Sequence, residues 1–279
     1  MIPYTNYGGS GSSLHFLHAN GYPPDCYKLL LEKFTDQYQV SAMHQRPLWP
    51  HSKPSEIGAW QPLTDDYLLF VDEKKHNPIT VVGHSMGAIV ALRAAIRRPD
   101  HFHSLILIDP VLFTPQFIAV YNLVKIIGLA NKFHPLIAGA LKRRREFSDL
   151  DHLFNIYRRK RVFRYFSDAA LTAYIKGITI QSSDGKFELA YSPEWEARIY
   201  YTGVWHDLDL WRGLRGLKIP MMIIRGEETD TFLPPAVNRI KRLCPDISII
   251  DIEKSTHLVP LENPERTYSL IREFENKNK

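Results

Sequence analysis

Cysteine is nearly absent from this sequence. Cys26 and Cys244 stand far apart and in no metal-ligand spacing, so neither a disulfide framework nor a zinc site is expected. The stretch nearest to a long apolar run, residues 117–141, is broken by Asn122, Lys125, Asn131, Lys132 and Pro135 and fails as a membrane span. The opening Met1-Ile2-Pro3-Tyr4-Thr5-Asn6 has no basic region followed by an apolar core, so no signal peptide is expected and a reduced, cytoplasmic compartment fits. No glycine-rich loop carrying a lysine is present to cradle phosphates, which argues against nucleotide chemistry. Internal repeats and low-complexity linkers are also missing, so 279 residues read as one large α/β core that can carry an insertion.

What the chain does have is a modest positive excess, a net charge of +5. Much of it lies in two runs, Lys142-Arg143-Arg144-Arg145 and Arg158-Arg159-Lys160-Arg161. Solvated helix faces account for such runs in the first instance. Weak contact with an anionic membrane surface, or an anionic substrate, is the functional alternative. No nucleic-acid reading module accompanies the charge, so nucleic acid is not an expected partner.

The most informative stretch runs from Ile79 to Leu92. An apolar, β-branched run enters Gly83-His84-Ser85-Met86-Gly87, and an alanine-rich helical run leaves it. This is the pattern of a strand–turn–helix elbow with Ser85 at its apex, where small neighbours let strand and helix approach each other. Further strands are expected at Ser12–His18, Tyr38–Met43, Ser104–Ile108, Ile219–Ile224 and Ile247–Ile252. Helices are expected near 25–34, 63–71, 86–98, 235–243 and 264–275. Strands apolar on both faces, alternating with helices, imply a parallel sheet covered on both sides. Functional loops then belong at the carboxyl ends of the strands, where His18–Tyr22, Ser85 and Asp109 all fall. From Val111 to Trp205 the alternation lapses into a mainly helical, basic and aromatic stretch, with a small hairpin expected across Ser182-Ser183-Asp184-Gly185. The expected organisation is therefore a core of residues 1–110 and 206–279 with a cap, 111–205, inserted after the strand ending at Ile108.

A serine hydroxyl needs a base to act as a nucleophile at neutral pH, and that base needs a third group to orient it. Asp230 and His257 each follow an expected strand end, in the order Ser…acid…His that suits an elbow serine. Four motifs now come together: His18-Ala19-Asn20-Gly21, Gly83-His84-Ser85-Met86-Gly87, Gly226-Glu227-Glu228-Thr229-Asp230, and Ser255-Thr256-His257 through Asn263-Pro264. In these the chain resembles the α/β-hydrolase superfamily, in its serine esterase/lipase-like branch with a helical cap.

The resemblance implies Ser85 as nucleophile, His257 as general base and then acid, and Asp230 as the group that fixes its tautomer. Asp109 and Glu228 are the alternatives for the acid. Backbone N–H groups of Met86 and Asn20, with Gly21 as the alternative to Asn20, are the implied oxyanion donors. Ala19 stands where relatives commonly have glycine. The opening antiparallel hairpin of the family is expected to be reduced or lost. No cofactor and no metal are implied. Dehalogenases and epoxide hydrolases of the superfamily carry aspartate where Ser85 stands, so those chemistries are disfavoured.

The function expected is cleavage of a carboxylic ester with an apolar acyl or alkyl group. The same triad could serve C–C bond hydrolysis or perhydrolysis, or the fold could serve as a non-catalytic ligand-binding protein.

Overall fold

A computed structural model describes residues 1–75, 78–127, 135–204 and 206–278. Seven strands form the central sheet: β1 (Tyr4–Gly8), β2 (Ser12–Leu17), β3 (Tyr38–Met43), β4 (Ile79–His84), β5 (Phe102–Ile108), β9 (Met221–Gly226) and β10 (Ser248–Ile252). Their order is β1-β3-β2-β4-β5-β9-β10. Only β1 runs antiparallel, against β3; the other pairings are parallel. The opening hairpin is thus reduced to one edge strand.

Strand alternation sorts the core into two layers. Val81, Leu105, Leu107 and Ile223 face one cluster with Leu63, Tyr67, Ile89, Trp211 and Ile240 from the flanking helices. Val82, Ile106, Ile108, Met222 and Ile224 face the other, with Leu30, Phe34, Leu270 and Ile271. Both faces are covered, which is why these strands are apolar throughout rather than alternating polar and apolar. Each fully buried aliphatic side chain contributes about 1.5–3 kcal/mol.

The helix expected at 25–34 is broken into 3-10 turns over Pro24–Tyr27 and Glu32–Asp36 around a single α-turn, Lys28–Leu31. The helix Asp168–Ile178 crosses here so closely that a Cβ on Gly177 would lie 2.4 Å from the Cys26 nitrogen. A regular helix gives way to that approach.

Between β5 and β9 lie the helices Pro115–Ile126, Pro135–Leu141, Leu150–Arg158, Asp168–Ile178, Pro193–Thr202 and Leu208–Leu214. A three-stranded sheet accompanies them, with β6 (Glu146–Phe147), β7 (Thr179–Gln181) and β8 (Phe187–Leu189) in the order β6-β8-β7. The hairpin expected across Ser182–Gly185 is the antiparallel pair β7 and β8. Trp205, the expected end of the insertion, lies outside the described residues, as do Asn131 and Lys132. No helix among the described residues is long and apolar enough to cross a membrane.

Candidate active site

The elbow forms as its steric pattern requires. Ser85 sits between β4 and the helix Met86–Arg97 at φ 57°, ψ −116°, a conformation costly for a residue with a Cβ. The cost is met by tight surroundings. A Cβ on Gly83 would lie 2.5 Å from the Gly87 carbonyl oxygen, and one on Gly87 would lie 2.1 Å from the Leu17 oxygen. Neither position accepts a larger residue without moving a strand. The Ser85 N–H donates to the Ile108 carbonyl at 2.9 Å, which ties the turn to the end of β5.

The Ser85 hydroxyl lies 2.8 Å from His257 Nε2. The other ring nitrogen, Nδ1, lies 3.0 Å from Asp109 Oδ1. Asp109 is fully buried and follows β5 directly, at φ 41°. Its carboxylate also accepts from the Gly226 N–H at 2.9 Å and from the Thr229 hydroxyl at 2.7 Å. Three donors converge on one buried carboxylate, so its ionised form is well satisfied. Since an ionised carboxylate can only accept, His257 carries its proton on Nδ1, and Nε2 presents a lone pair to Ser85.

The expected pairing of Asp230 with His257 is not what the structure has. Thr229 N–H donates back to the Gly226 carbonyl at 3.1 Å, so the chain turns at the end of β9. That turn sends the Thr229 hydroxyl inward to Asp109 and leaves Asp230, one residue further, exposed at the cavity mouth. There Asp230 accepts from the Thr231 hydroxyl at 3.2 Å. Glu228 is also exposed and forms a 2.6 Å ion pair with Arg164. Of the three acids considered, only Asp109 reaches the histidine, from the neighbouring strand.

The loop carrying His257 is held from both sides. Thr256 gives its N–H and hydroxyl to Glu262, at 2.6 and 2.8 Å. Gly226 allows this loop to close on β9, because a Cβ there would lie 2.1 Å from the Thr256 carbonyl oxygen. His84 adds a third tie. Its Nε2 donates to the His257 carbonyl at 2.8 Å, which leaves Nδ1 to accept from the Tyr27 hydroxyl at 2.7 Å. Tyr27 in turn accepts from the Ala19 N–H at 3.1 Å. One directed chain of donors therefore links the loop after β2 to the loop of His257. Burial drives the pKa of His84 well below that of a free imidazole, and neighbouring His257 lowers it further. Burial likewise lowers His18 to about 3, against a backbone bond to Ala19 that favours the charged form. Both rings are neutral. Sequence reasoning gave His84 no role beyond its place in the elbow motif and did not single out Tyr27 or Thr229. A tyrosine in a turn and a threonine in an acidic loop carry no spacing signal.

Ser85, Met86, Asn20 and His257 line one cavity of about 630 Å³. Its walls are largely apolar, with Trp60, Val111, Phe113, Val162, Ile199 and Leu258, while Arg161, Arg164, Glu228 and Asp230 lie towards its mouth. Met86 opens the helix after Ser85, so its N–H has no acceptor within that helix. The side chain of Asn20 is fixed by a 3.1 Å bond to the Glu196 carbonyl. Among the described residues, no group of three or more His, Cys, Asp or Glu is placed to hold a metal ion.

A parallel sheet with a strained serine elbow, and an imidazole between that serine and a buried carboxylate, defines the class. Residues 16–270 match the Alpha/beta hydrolase family, and the chain belongs to it. It is similar to 2-(acetamidomethylene)succinate hydrolase of Mesorhizobium japonicum, with 25% identity, covering 95% of this chain and 88% of that protein. It is also similar to ethanol acetyltransferase 1 of Hanseniaspora uvarum, with 23% identity over 86% of this chain and 74% of the other. Among solved structures, an E-2-(acetamidomethylene)succinate hydrolase superposes with a TM-score of 0.76 at 21% identity, covering 99% of this chain and 95% of that one. At that identity the superposition speaks for the fold alone.

Proposed function

We propose that the chain is a serine hydrolase that cleaves a carboxylic ester through an acyl-enzyme on Ser85. The observation that carries this reading is the unbroken line from Ser85 Oγ through His257 to Asp109, at 2.8 and 3.0 Å. His257 Nε2 takes the hydroxyl proton as Oγ attacks the ester carbonyl. The backbone N–H groups of Met86 and Asn20 receive the resulting oxyanion, each worth roughly 3–4 kcal/mol. Asn20 suits that role better than its neighbour, since the Ala19 N–H is committed to Tyr27. Collapse expels the alcohol, which takes the proton from His257. Water then enters, gives a proton to the same nitrogen and attacks the acyl carbon. Carboxylic acid and free Ser85 result. Asp109 holds the Nδ1–H tautomer throughout and stabilises the imidazolium, the role expected of Asp230. The apolar walls suit an acyl or alkyl group rather than a highly charged substrate.

The relatives' names support a second outcome of the same first step. One relative is named a hydrolase of a compound that contains an acetamido group, and the other an acetyltransferase to ethanol. In this chain the acyl-enzyme could thus arise from an amide, or pass to an alcohol.

The test pairs chain-length profiling on p-nitrophenyl esters with a fluorophosphonate probe. Ser85 should be labelled, and Ser85→Ala should lower turnover at least about 10³-fold. A folded protein that resists the probe at Ser85, or a variant that retains activity, would overturn the proposal.

A further inference from the structure

The two basic runs are not one solvated face. Arg145 pairs with Glu194, and Arg158 gives its guanidinium to the carbonyls of Phe163 and Phe166. Arg161 faces the catalytic cavity. Of the five remaining cations, all but Arg159 converge elsewhere. Lys142, Arg143 and Arg144 from the first run and Lys160 from the second line a separate cavity of about 320 Å³. It shares no lining residue with the catalytic one.

This cavity has the parts of an anion site. Its apolar floor is made by the buried Phe147, Leu153 and Tyr157, and Ser148 and His152 stand at its wall. Its one carboxylate, Asp149, is occupied in capping the helix Leu150–Arg158, accepting from the N–H groups of Asp151 and His152 at 3.0 Å each. Among the described residues Lys142, Arg144 and Lys160 make no ion pair. Lys160 lies 4.1 Å above the Tyr157 ring, and Arg144 lies over Phe147. Those ring contacts hold the two cations against the floor, so their order does not depend on a carboxylate partner. Arg143 alone is paired, to Glu196 at 2.5 Å, and forms part of the partition towards Asn20.

We propose that this second cavity binds a phosphomonoester anion carried on an apolar body. A doubly charged group with three acceptor oxygens matches three unpaired cations arriving from two chain segments, with the Ser148 hydroxyl as a further donor. The aromatic floor takes the body that carries it. Two sources offer that chemistry, a soluble phosphomonoester and a phosphatidic acid headgroup.

The experiment uses the full chain and measures binding of phenyl phosphate, a phosphomonoester on an apolar body, by calorimetry. A second arm measures sedimentation with phosphatidylcholine vesicles, with and without phosphatidic acid. Both are repeated on Lys142→Ala/Lys160→Ala, and on Lys218→Ala/Lys241→Ala, which removes the same charge from exposed positions elsewhere. Binding of either probe that weakens at least about tenfold in the first variant and not in the second supports the site. The probe that binds then identifies the source. Ester turnover should be unchanged in both variants, which shows that the fold is intact. No binding of either probe, or equal loss in the two variants, overturns the proposal.

Discussion

Two buried carboxylates stand at opposite ends of β5, and they do different work. Asp109, after its carboxyl end, accepts from Gly226, Thr229 and His257. Glu275, from the closing helix Pro264–Lys277, accepts from Ser104 near the start of β5, and from Thr80 and Tyr38, at 2.6–3.3 Å. Each is buried and each meets three donors, so burial and satisfaction do not tell them apart. The partners do. All donors to Glu275 are hydroxyls that stay protonated near neutral pH, so this carboxylate fastens the closing helix to the sheet. One donor to Asp109 is an imidazole, whose proton can move. The carboxyl edge also gathers His18, His84 and His257, while among the described residues Glu275 accepts from no imidazole.

That contrast is open to attack from both ends. Replacing Glu275 with Ala strands three buried hydroxyls and removes charge-assisted bonds. Unfolding free energy should fall by about 3 kcal/mol, with kcat unchanged for the folded fraction. Urea titration alongside ester assays reads both, and a loss of kcat without a loss of stability would erase the distinction.

Acid should act on the other edge. The folded chain resists protonating His18 and His84, so below pH 6.5 the unfolded chain binds more protons and stability drops as pH falls. Asp207 works in the opposite direction. Burial, partly offset by its ion pair with Arg93, raises it to about 6, so the folded chain takes up that proton first. Each imidazole held neutral contributes a slope of up to about 1.4 kcal/mol per pH unit below pH 6.5. Burial lowers His44 in the same sense, while burial raises Asp66 and Glu262 in the sense of Asp207. Imidazole resonances followed by NMR between pH 7 and 5 isolate the His18 and His84 rings, and protonation of both near pH 6.5 would show that they are not held neutral.

The core was legible because its physics is local. β4, the elbow and the following helix announce themselves through an apolar run, two sterically required glycines and an alanine-rich exit. Ser85 and His257 followed from strand ends on one edge. The choice between Asp109 and Asp230 was not local. Both follow adjacent strands, and the outcome depends on a turn after Gly226 that buries Thr229 and exposes Asp230. A sequence lists both acids at strand ends and does not record which way the turn faces. The basic runs show the same limit. The convergence of Lys142, Arg143, Arg144 and Lys160 on one cavity depends on how Lys142–Arg144 packs beside the helix Leu150–Arg158, which no periodicity encodes.

The central claim is that Asp109 orients His257. Steady-state ester kinetics on Asp109→Asn and Asp230→Asn, with thermal melts to establish folding, test it most directly. An asparagine at 109 can donate to Nδ1 and stabilise the wrong tautomer, so kcat should fall by about 10⁴, while Asp230→Asn should stay within about threefold of the parent. Equal kcat for parent and Asp109→Asn, or a collapse of kcat in Asp230→Asn alone, would contradict the account.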